Sequence, residues 1–161
     1  MSESRKIPLS ALVLGLAGLI PFFASSALMW VEGNSALNEF GRLLLIGYGA
    51  VILSFLGGAR WGFEIARAPS NPSLGLLVAS VLPSIVGWIA VGIASVPISM
   101  FISIPLSAVS FGLLYCGFSV QWLLDVQPVT ASDLPVWYPR LRSILTFGAV
   151  AALFFGQVAL M

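Results

Sequence analysis

Between Ala68 and Leu124 the chain runs for 57 residues without an Asp, Glu, Lys or Arg. As one helix, at ~1.5 Å per residue, that stretch would measure about 85 Å, nearly three times the roughly 30 Å hydrocarbon core of a bilayer. It must fold back on itself, and the break belongs at Ser95-Val96-Pro97. This predicts spans of about Leu74 to Ser95 and Ile98 to Leu124, bent at Pro83 and Pro105. Composition points the same way: 59% of the 161 residues are apolar and 8% are charged, against about a quarter charged in soluble domains. That little charge cannot cover the surface of a water-soluble fold.

The rest of the chain supplies three more spans. Pro8 suits a helix start, where its missing N–H would be unpaired in any case, and Leu9 to Trp30 is a 22-residue uncharged run with Pro21 placed to kink it. Arg5, Lys6 and Ala24-Ser25-Ser26 imitate a signal peptide, but the apolar run continues past that site to Trp30 and favours a retained span. Val31 to Arg42 reads as a polar connection and Leu43 to Ile65 as the second span, with a turn-rich link from Ala66 to Ser73. Asp125 to Arg140, with Asp133, Pro135 and Pro139, reads as the longest loop. Its Trp137 and Tyr138 are suited to anchoring at headgroup level. Leu141 to Met161 closes the chain as a fifth span. The expectation is an all-α integral membrane protein, residues 1–161 forming a single five-helix transmembrane bundle.

Counting Lys and Arg orients it. With the amino terminus inside, Arg5, Lys6, Arg60, Arg67, Arg140 and Arg142 fall on the inner side and Arg42 alone on the outer. That is the positive-inside asymmetry, and it predicts amino terminus in, carboxyl terminus out.

Several chemistries are excluded by what is missing. A net charge of +1 argues against a nucleic-acid surface. With no histidine and one cysteine, Cys116, the chain lacks the usual metal ligands and general base. Neither a metal site nor a cofactor is expected. Intramembrane proteolysis would need a histidine or two facing aspartates within spans, so an enzyme is not expected.

The ionisable residues that remain gather at one membrane face. Arg60 and Glu64 share a face of the second span, Gln121 and Asp125 share one on the fourth, and each pair is four residues apart. By topology both arrive at the inner interface near Arg140 and Arg142. Such groups within a span are costly unless paired, and mark functional sites by default. The cluster of Arg60, Glu64, Gln121, Asp125 and Arg140 reads either as a binding or proton-handling site or as a structural ion pair locking two spans, with Arg67 or Arg140 completing the charge.

Small residues recur at packing intervals. Ala50, Ser54, Gly58 and Gly62 form a small-xxx-small series on the second span, and Gly148, Ala152 and Gly156 repeat it on the fifth. Ser107, Ser110, Gly117, Gln121 and Asp125 fall in one sector of the fourth span, as a polar seam or as ordinary packing. Arg60-Trp61-Gly62-Phe63-Glu64 and Gln121-Trp122-Leu123-Leu124-Asp125 also match loosely at an offset of 61, as do Pro8 and Pro69. The match admits a parallel pseudo-repeat of helices 1–2 and 3–4.

Gly57-Gly58-Ala59-Arg60-Trp61-Gly62-Phe63-Glu64, Gln121-Trp122 with Asp125, and Trp137-Tyr138-Pro139-Arg140-Leu141-Arg142 resemble the transmembrane protein 69 family, small inner-membrane proteins of bacteria and mitochondria built on a domain of unknown function. The resemblance spans nearly the whole chain and implies a multi-pass protein of the bacterial inner membrane. It brings no catalytic or binding residues. Two function classes therefore stand: a non-catalytic packing or assembly partner of a larger membrane complex, or of a second copy of itself, and a small-ligand binder or carrier using the ionic cluster.

Overall fold

The computed structural model describes residues 6–96, 106–127 and 134–161, and among them the regular structure is helical, with no strand. Arg5, Pro97, the start of the fourth span at Ile98, Pro105 and Asp133 lie outside the described residues. Among the described residues, five helical stretches are long and apolar enough to cross a bilayer.

The first span is two helices, α1 (Leu9–Ala17) and α2 (Ile20–Leu28). Its break precedes the proline. Pro21 has no N–H to give to the carbonyl of Ala17, and its ring crowds that carbonyl, so α1 stops there. Gly18 and Leu19 are tightened by the Leu19 N–H to the Leu16 carbonyl at 3.0 Å, and Pro21 falls in the first turn of α2.

The second span is longer than the sequence suggested. Helix α3 (Ser35–Arg67) takes in most of what the polar composition marked as connection. Gly33, with φ of 75°, turns the chain into a conformation that side chains disfavour. Asn34 then caps the helix, its Oδ1 accepting the Leu37 N–H at 3.0 Å. Within the added turns Arg42 Nε donates to Glu39 Oε2 at 2.8 Å.

Helix α4 (Leu74–Ala94) runs unbroken through Pro83 and ends at Ser95. Helix α5 spans Leu106–Val126 and α6 Tyr138–Val158. Two sequence-based boundaries are therefore corrected: Asp125 is in the last turn of α5, and Tyr138 and Arg140 are in the first turn of α6, with Pro139 at a helix start where it is tolerated.

The chain divides into two units, residues 1–45 with 118–161, and residues 46–117. The first is built on the first span and α6. A Cβ at Gly148 would touch Leu19, one at Gly15 would touch Leu145, and one at Gly156 would meet Leu45 and Met29. Small residues thus let these helices approach, as in membrane packing generally. The Phe22 and Phe118 rings meet edge to face at 6.0 Å, and Trp30 Nε1 donates to the Phe155 carbonyl at 3.1 Å. In the second unit Gly87 of α4 lies against Ala50 of α3, and Gly57 of α3 lies against the Ser80 carbonyl and Pro83 of α4. The close approach is to the Ser80 carbonyl; a Cβ at Gly57 would stand in ordinary contact with the Pro83 ring.

Candidate functional site

The first unit concentrates its polar chemistry where α5 and α6 run side by side. Trp122 Nε1 donates to Ser143 Oγ at 2.9 Å, and the Ser143 hydroxyl donates to the Pro139 carbonyl at 2.9 Å. The Trp122 and Phe147 rings stand 5.5 Å apart. These contacts fix an antiparallel register that brings Arg142 opposite Asp125. Arg142 Nε donates to Asp125 Oδ2 at 2.7 Å, with side chains 6% and 4% exposed. A charge-assisted bond so well shielded from water is among the strong ones, and removing either partner would strand the other.

Gln121 and Thr146 each lie four residues, about one turn, from a member of the ion pair. Gln121 is 1% exposed and Thr146 4%. Gln121 Nε2, Arg142 Nη2 and Thr146 Oγ1 are buried without a hydrogen-bond partner. An unmet buried donor costs about 1–3 kcal/mol.

The second unit has its own ionic element. Glu64, buried near the end of α3, accepts from Arg67 Nε at 3.0 Å and from the Ser73 N–H at 2.7 Å. Ser73 is the N-cap of α4, so one carboxylate ties the end of one span to the start of the next.

The residues singled out in the sequence are thus distributed. Arg60, half-buried, and Glu64 belong to the second unit, and Gln121, Asp125 and Arg140 to the first. Glu64 is held by Arg67 and Asp125 by Arg142, while Arg140 is exposed. Trp137 and Tyr138 are half-buried, their rings 6.2 Å apart. Ala152 is fully buried. Ser54 is half-buried, whereas a Cβ at Gly58 or Gly62 would meet nothing within 4 Å. In the seam, Ser110 donates to its own backbone at Leu106, as hydroxyls within helices often do. Sequence reasoning passed over Thr146 and Gly57. Four-residue spacing from Arg142 would have found the first; the second stood beside a more obvious GxxxG.

Over residues 7–158 the chain matches the model of a family described as protein of unknown function, DUF3429. The chain belongs to the DUF3429 family. A curated relative of this DUF3429 protein, Transmembrane protein 69 of Xenopus tropicalis, is 36% identical over 150 residues, covering 92% of the chain and 54% of the relative. Transmembrane protein 69 of Mus musculus is 38% identical over 86 residues, covering 52% of the chain and 34% of the relative. The chain thus spans about half the length, or less, of these curated relatives. No solved structure matches significantly. The DUF3429 protein is a membrane protein with several spans, in a family whose function is unknown.

Proposed function

We propose that this DUF3429 protein is a non-catalytic protein of the bacterial inner membrane that packs against a larger membrane complex or assists its assembly. The observation that carries the reading is the bare face of α3 at Gly58 and Gly62, where an added Cβ would meet nothing. Glycine in a helix is about 1 kcal/mol poorer than alanine, and a glycine facing lipid recovers none of that. A glycine against another helix does, because backbones can approach there. The experiment is purification from native membranes in mild detergent. A stoichiometric protein partner is expected, and Gly58→Leu should release it while leaving the helical content unchanged. Recovery of the chain alone, or a partner indifferent to Gly58→Leu, overturns the reading. A second copy as partner would make the complex a homo-oligomer.

A second reading, a small-ligand binder, is favoured by the unmet donors of Gln121, Arg142 and Thr146. It predicts a retained small molecule in place of a protein partner.

A further inference from the structure

We infer that Gln121, Arg142 and Thr146 form a binding site for the oxygens of an oxyanion, a carboxylate or phosphate group. The inference rests on the ligand-binding reading and names its ligand class.

Three buried side chains on two helices present a donor each: the Gln121 amide at Nε2, the Arg142 guanidinium at Nη2 and the Thr146 hydroxyl. All three lack an acceptor, and all three residues are at least nine-tenths buried. The register places them together. Asp125 opposes Arg142 at 2.7 Å, and Gln121 and Thr146 follow one turn, about 5.4 Å, along the same pair of faces. The guanidinium is pre-set, since Asp125 holds Nε and leaves Nη2, on the same edge of the fork, available.

The donor set selects the ligand. A water oxygen accepts about two hydrogen bonds, so three donors spread over a helical turn would take two waters, where one oxyanion can meet all three. A carboxylate or phosphate carries several lone pairs on oxygens a short distance apart, and an arginine donor strengthens each bond to a charged oxygen. Asp125 lies one residue before the end of α5, and Arg142 is in the second turn of α6. The site therefore sits near the ends of two spans, at a depth that either a lipid headgroup phosphate or a free anion reaches.

The test uses the full chain, purified in detergent and stripped of lipid. Its unfolding midpoint is followed against inorganic phosphate and acetate, with sodium chloride at equal ionic strength as the control. In parallel, protein returned to phosphatidylglycerol vesicles and re-extracted is weighed by native mass spectrometry. A saturable rise with phosphate or acetate identifies a free anion, and a retained lipid identifies a headgroup. Thr146→Val and Gln121→Leu should weaken whichever is found by roughly tenfold or more. Without ligand both variants should be at least as stable as the parent, because each removes an unmet polar group. Should Gln121→Leu fail to fold, the nearly isosteric Thr146→Val decides. No response to any probe and no retained lipid overturns the site, as does a response that chloride reproduces. A response unchanged in the variants also overturns it, while leaving ligand binding elsewhere on the chain as a separate matter.

Discussion

Gly57 and Gly58 are neighbours with opposite surroundings. A Cβ at Gly57 would run into the Ser80 carbonyl oxygen, a backbone atom that cannot swing away, whereas one at Gly58 would touch nothing. Alanine gains about 1 kcal/mol of helix propensity at either position, but overpacking costs about 1–3 kcal/mol. Gly57→Ala should therefore lower the thermal unfolding midpoint in detergent, and Gly58→Ala should hold or raise it. The buried pair makes a second prediction. Asp125→Leu should destabilise by about 3–5 kcal/mol by stranding Arg142, and Asp125→Leu with Arg142→Met should be less damaging than the single change; denaturation of the two variants side by side checks this. The sequence marked Asp125 as needing a cation but put Arg140 in the cluster instead of Arg142. That choice went with starting the fifth span at Leu141, which left Arg140 in a loop with no defined direction. Once the helix starts at Tyr138, residues two apart point roughly 200° from each other. Arg142 then turns inward, and Arg140 outward into exposure.

At the scale of elements, the spans were legible because a run of some twenty uncharged residues has few other uses. Their ends were less so. Hydropathy sees where apolar residues stop, whereas a helix stops where its backbone bonds stop. Ser35 to Arg42 is polar and was read as a link, yet Asn34 caps it and the Glu39–Arg42 pair braces it. Asn34→Ala should cost about 1 kcal/mol. The loss should appear as faster amide exchange at Leu37 and its neighbours, with the apolar part of α3 unchanged. The break in the first span was similarly displaced: Pro21 was identified, but its effect falls four residues earlier, on the carbonyl it cannot bond. Pro83, of the same residue type, leaves α4 intact. Residue type alone therefore does not decide whether a proline breaks a span.

For the whole molecule, the count of spans came from the length of the apolar runs, and the sidedness expected from Lys and Arg is open to direct measurement. In a Cys116→Ala background, Asn34→Cys should react with a membrane-impermeant maleimide from outside, and Asn71→Cys only after the membrane is opened. Both positions are exposed, so failure to label would report sidedness rather than burial. Helix α3 carries one more implication. Its 33 residues amount to about 50 Å, and even the steepest usual tilt, ~40°, leaves it longer than a ~30 Å hydrocarbon layer. One polar end of the helix holds Glu39 and Arg42, and the other holds Arg60, Glu64 and Arg67. A thicker bilayer would draw these charges toward the acyl chains, and a thinner one would bare apolar residues between Leu43 and Ala59. The charges at its two ends therefore set an upper limit on the thickness of membrane that α3 fits.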